Sequence, residues 1–102
     1  MAHCYILYSK SLNRFYTGST ELKPDERVAL HLAKYYGVQK YTAAAADWIL
    51  YLSIECESIN IAKNIELHIK KMKSKKYIQN LKLYPEMRVK LLNKFRNPGS
   101  PR

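Results

Sequence analysis

Apolar positions cluster in three short strand-like stretches of this chain and recur every three or four residues through most of the remainder. Residues 4–9 (CYILYS) and 14–20 (RFYTGST) are rich in aromatic and β-branched side chains, as strands are. Between them Lys10-Ser11-Leu12-Asn13-Arg14 has the length of a hairpin loop. Residues 47–56 (DWILYLSIEC) predict a third strand, with Trp48, Leu50, Leu52 and Ile54 on one face and Ile49, Tyr51, Ser53 and Glu55 on the other, more polar one. The helical segments carry their own punctuation. Pro24 opens a helix at its first turn, Asp25 and Glu26 favour the positive end of its dipole, and Gly37 stops it after Tyr36. Val28, Leu32 and Tyr35 form its core stripe, and Arg27, His31 and Lys34 fall on a neighbouring face. Residues 38–46 read as a loop. Ser58 caps a helix over 59–73 with an inward stripe of Ile61, Ile65, Ile69 and Met72. Ser74 caps a further helix carrying Tyr77, Leu81 and Tyr84, and Pro85 starts a short amphipathic segment with Leu91, Leu92 and Phe95.

The expected order is therefore β-β-α-β-α-α-α, an α+β domain with a three-stranded, mostly antiparallel sheet flanked by helices. It spans residues 1–96 and leaves 97–102 as a flexible tail rich in Pro, Gly and Ser. At 102 residues and 47% apolar composition the chain has material for one core. Charge changes the picture more. Eighteen Lys and Arg against eight Asp and Glu give a net charge of +10, which points to a polyanionic partner. The densest basic run is Lys70, Lys71, Lys73, Lys75 and Lys76. No apolar run is long enough to span a membrane and no signal peptide is apparent, so a cytoplasmic protein with no membrane role is expected. Cys4 and Cys56 sit in apolar strand-like runs and read as buried free thiols. His3, Cys4, Cys56 and His68 have no spacing known for a zinc site.

The hairpin holds the first candidate chemistry. If Leu7 lies opposite Arg14, Tyr5 lies opposite Tyr16 and the two phenols stand side by side, whereas a slip of one residue puts them on opposite faces. Downstream come Arg27 and His31, four apart on a helix, and then Glu66 on a second helix. This order resembles the GIY-YIG nuclease superfamily, and in particular its small stand-alone bacterial members and the first-strand nicking domain of excision-repair nucleases. Cys4-Tyr5-Ile6 stands where the family has its first triplet and Tyr16-Thr17-Gly18 where it has its second. Glu26-Arg27 with His31 matches the family's Arg helix, and IELHIKKMKSKKYIQNL its acidic helix; the resemblance runs from Tyr5 to about Phe95. The chain departs from the pattern at His3, which takes the place of the first glycine. The link Glu21–Asp25 is one residue longer than usual, and Ala43–Ala46 stands where polar and basic residues are expected.

The resemblance implies a metal-dependent DNA endonuclease with a catalytic set of Tyr5, Tyr16, Arg27, His31 and Glu66. Glu66 would hold Mg²⁺ or Mn²⁺, one carboxylate sufficing where water and phosphate oxygens complete the shell. Arg27 suits a bidentate grip on non-bridging phosphate oxygens. Tyr5 is assigned as the base toward the attacking water, Tyr16 as a positioning phenol and His31 as a proton relay. Lys34, Lys70, Lys71, Lys73, Lys75 and Lys76 would contact the nucleic-acid backbone, which carries affinity without sequence information. With no helix suited to the major groove, recognition by nucleic-acid structure is expected; RNA is not excluded and no small-molecule cofactor is implied. Each residue also has a plain structural role. Glu66 and Lys70 make an ordinary i,i+4 helix pair, His31 alone suits a structural position, and a lysine run suits a solvated face. Two other functions thus remain open, an inactive nucleic-acid-binding module of the same fold and a basic domain for an acidic protein partner.

Overall fold

The computed structural model describes residues 1–23, 26 and 46–96. Within them, strands β1 (Ala2–Ser9), β2 (Arg14–Thr20) and β3 (Trp48–Cys56) are followed by helices α1 (Ile59–Met72), α2 (Lys75–Leu83) and α3 (Pro85–Phe95). The strands form an antiparallel sheet in the order β2-β1-β3. The α+β class and the expected order hold for these elements. The helix expected over 24–36, Glu26 apart, the loop expected over 38–46, Ala46 apart, and the tail at 97–102 lie outside the described residues.

The hairpin register differs from the expected one. Leu7 pairs with Tyr16, Tyr5 with Gly18 and Ser9 with Arg14. The loop is therefore residues 10–13, closed by Asn13 N donating to Lys10 O at 3.3 Å, with Asn13 in the left-handed region at φ 51°. Distant groups clamp it there. Asp47 accepts from Ser9 Oγ (2.6 Å), Ser11 Oγ (3.0 Å) and Ser11 N (2.8 Å), and Lys75 Nζ donates to Asn13 O (2.7 Å). Asp47 thus serves the turn and is not the first residue of β3. A shift of two residues preserves parity, so Tyr5 and Tyr16 still share a face, now as diagonal neighbours.

β3 departs from simple alternation as well. Leu52 pairs with Ile6 but Leu50 with Leu7, so Tyr51 is an extra residue, a β-bulge. The bulge splits the row expected on one face. Trp48 and Leu50 side with Tyr5 and Leu7, whereas Leu52 and Ile54 side with Cys4 and Ile6. The second of these faces receives α1. Ile61, Ile65 and Ile69 pack there with Ala2, Cys4, Ile54 and Cys56, and with Ile78 and Leu81 from α2 and Leu91 from α3. Burying each isoleucine contributes roughly 1.5–3 kcal/mol.

The cap serines act as expected, Ser58 Oγ accepting from Ile61 N at 3.3 Å and Ser74 Oγ from Tyr77 N at 3.0 Å. Two stripe positions do not follow the pattern. Met72 is 45% exposed, because α1 ends there and the chain reverses through Lys73 at φ 49°, leaving Ile78 and Leu81 to continue the core. Tyr84 is also exposed, because it is the junction between α2 and α3 and not a helical position.

Candidate functional site

The inward stripe of α1 fixes where Glu66 points. Glu66 follows Ile65 by one residue and so lies beside the stripe, facing the edge strand β2. Its carboxylate is held from both sides. Oε1 accepts from Ser19 Oγ of β2 at 2.7 Å, and Oε2 accepts from Lys70 Nζ one turn along α1 at 2.6 Å. The Glu66 side chain is 18% exposed and that of Lys70 is 48% exposed. The carboxylate is thus tucked against the sheet edge while the ammonium head still meets water.

Tyr16 approaches the same place from the other face of β2. Because β2 is an edge strand, a side chain on either face can reach round its rim. Lys70 Nζ lies 5.7 Å from the Tyr16 ring centroid and so bridges the phenol and the Glu66 carboxylate. The Tyr5 ring is 6.4 Å from that of Tyr16, tilted by 43°. Tyr5 is fully buried, and its phenol end lies across Gly18, where an added Cβ would sit 2.6 Å from Tyr5 Cζ. Gly18 therefore makes the space that lets Tyr5 reach toward β2. Tyr5 is thus the more buried of the two phenols, and Tyr16 lines an open groove.

That groove, of about 510 Å³, runs between β2 and the α1–α2 turn and is lined by Arg14, Tyr16, Thr17, Lys70, Lys73 and Lys75 among others. Of the expected basic contacts it gathers Lys70, Lys73 and Lys75, though the Lys75 ammonium is engaged on the hairpin turn. Lys71 lies on a second groove with His68, Lys94 and Phe95, and Lys76 is exposed elsewhere on α2. Arg27, His31 and Lys34 lie outside the described residues. Two contributors escaped the sequence reading. Arg14 follows from parity, since it stands two residues before Tyr16 on the same face. Ser19 had no comparable signal, because its partner is 47 residues away.

Other chemistry is disfavoured at this edge. Burial pushes the Cys4 thiol far up, with the Cys56 and Glu66 charges adding to the effect, so Cys4 is no nucleophile. Among the described residues no three His, Cys, Asp or Glu side chains come together, so a closed, zinc-like ligand set is not formed there. A single carboxylate of this kind suits a hard cation that keeps water in its shell. Among these residues, too, no helix is long and apolar enough to cross a membrane.

The sheet with its two neighbouring tyrosines, and the helix that brings a carboxylate to its edge, make up an α+β domain. The family model for the GIY-YIG catalytic domain matches residues 1–79, and the chain belongs to that family. Comparison with curated proteins and with solved structures returns no match.

Proposed function

We propose that this protein is a metal-dependent endonuclease that hydrolyses phosphodiester bonds in DNA and selects its substrate by structure more than by sequence. One observation carries the proposal. A half-sequestered carboxylate, Glu66, is paired with Lys70, and Lys70 in turn reaches Tyr16 and lines a basic groove with it.

Glu66 is the residue suited to hold Mg²⁺ or Mn²⁺, and Ser19 Oγ fixes the orientation of its carboxylate. When bound, such an ion neutralises the phosphate and stabilises the leaving 3′-oxygen. Tyr16 Oη takes a proton from the attacking water while passing its own phenolic proton to His31, as the new phosphorus–oxygen bond forms and the bond to the 3′-oxygen breaks. Tyr5 packs behind Tyr16 and holds its ring in place. Arg27 grips the non-bridging oxygens and His31 carries the proton onward, roles that follow the family pattern. Arg14, Lys70 and Lys73 receive the backbone of the strand, and Lys34, Lys71, Lys75 and Lys76 are further backbone contacts. Both cysteines are free, in keeping with a reducing cytoplasmic setting.

A second function, a binding module without catalysis, draws on the same ion pair, because Lys70 already satisfies the charge that a metal would otherwise balance. A cleavage panel of single-stranded, duplex, flap and junction DNA with RNA counterparts, with and without Mg²⁺ or Mn²⁺, separates the two. Metal-dependent cutting of at least one branched or flapped DNA is expected. Salt-sensitive binding with no cutting under any condition would establish the binding module instead.

A further inference from the structure

We infer that Lys70 is the resident counter-cation of Glu66, displaced when a divalent cation arrives and then free to serve a phosphate in the groove. The inference rests on Glu66 being the metal-holding residue. Three features of the edge lead to it.

The two carboxylate oxygens have unequal partners. Ser19 Oγ belongs to the sheet, so its 2.7 Å bond to Oε1 orients the carboxylate whether or not Lys70 is present. Lys70 Nζ, 2.6 Å from Oε2, is the head of a flexible four-carbon stem and is the more exposed partner. An ammonium at that distance stands where a cation bound to Oε2 would compete with it. The same ammonium also faces the groove, 5.7 Å from the Tyr16 ring centroid and alongside Lys73. A small side-chain rotation therefore exchanges a carboxylate for a phosphate as its partner. The exchange is electrostatically consistent. A doubly charged ion on Glu66 repels Lys70, and an incoming phosphate attracts it. Without metal, Lys70 lowers the cost of keeping a carboxylate partly buried in a chain of net charge +10.

Lys70 is accordingly a positioning residue that sets the metal affinity of Glu66. The test uses Mn²⁺ alone as the probe. Its paramagnetic broadening of the Ser19 and Glu66 amide NMR signals is titrated in the parent, Lys70→Met, Lys70→Gln and Glu66→Gln, each checked for fold by thermal melting. Both Lys70 variants should reach half-broadening at up to about fivefold lower Mn²⁺, the size of effect a partly exposed ion pair can exert. Glu66→Gln should lose the local broadening. In metal-free buffer Glu66→Gln also releases Lys70, so the slope of log affinity for duplex DNA against log salt should steepen by about 0.9, one phosphate contact. Adding Lys70→Met should cancel that gain. Unchanged or weaker Mn²⁺ affinity in Lys70→Met, with Glu66→Gln still losing it, overturns the exchange and leaves Glu66 as the ligand. No broadening near Glu66 in either the parent or Lys70→Met at millimolar Mn²⁺ overturns the metal site itself, and the exchange with it.

Discussion

Gly18 occupies the one position on β2 where a side chain would collide with Tyr5. An alanine Cβ there overlaps the Tyr5 phenol, and Tyr5 is fully buried, so the ring has little room to yield. Gly18→Ala should destabilise the fold by roughly 1–3 kcal/mol, in the range for overpacking, and displace the phenol. A thermal melt together with the cleavage assay checks both effects, and a variant as stable and active as the parent would show that the close approach is dispensable. The two tyrosines should separate by role. Tyr16→Phe removes the hydroxyl of a groove-lining ring and should reduce cleavage at least about 100-fold, as loss of a general base does. Tyr5→Phe removes a hydroxyl from a buried ring and should cost less in rate and more in stability. A single-turnover comparison decides the order, and the reverse order would return the base role to Tyr5.

At the scale of elements, local signals were legible and distant ones were not. Ser58, Ser74 and Pro85 mark helix starts through bonds and dihedrals within a few residues, so the sequence locates α1, α2 and α3 closely. The hairpin register depends on Asp47 and Lys75, which reach the loop from 36 and 62 residues away, and no local pattern encodes them. The bulge at Tyr51 is hidden for a related reason, since the apolar alternation of β3 runs through it uninterrupted. The helices also carry a pH-sensitive contact. His68 of α1 lies edge-on between Tyr77 of α2 and Phe95 of α3, with Nε2 3.2 Å from Tyr77 Oη. Burial first, then Lys94 and Lys71, holds the His68 pKa below its ordinary 6.5. The folded state therefore binds fewer protons than the unfolded chain once pH falls below about 6.5. This contribution to stability is complete above that pH and is lost as pH falls through the lowered folded value. Melting temperatures measured from pH 8 downward should show that loss in the parent, and His68→Gln should flatten the curve in that window. An identical pH dependence in both proteins would show that His68 does not titrate with folding.

For the whole molecule, net charge indicated the class of partner but not the face that meets it. Folding divides the lysine run among different surfaces. Lys70 and Lys73 line the groove beside Tyr16, Lys71 lies on a second groove that Lys70 also borders, and Lys75 is tied to the hairpin, while Arg14 joins the first groove from β2. Replacing Arg14 and Lys73 together by Ala should lower affinity about equally for every duplex sequence and flatten the salt slope by up to about 1.8, two phosphate contacts. Lys76→Ala should change the slope less than either single groove substitution. Equal effects from all three would mean that charge acts diffusely and that the groove has no special part in binding.

The tyrosine pair and Glu66 were legible in the sequence because their order along the chain matches a family pattern. Their meeting place at the β2 edge depends on Ser19 and on the parity of the hairpin register. The most direct test of that meeting place is the single-turnover cleavage rate of Glu66→Gln against the parent, at saturating Mg²⁺ on the best substrate of the panel. Binding of the same substrate is measured in parallel. Glu66→Gln keeps size and helix propensity while removing the charge that would hold the cation. Cleavage should disappear while binding is retained or slightly tighter. A variant that cuts as fast as the parent would contradict a metal-holding role for Glu66 and the mechanism built on it.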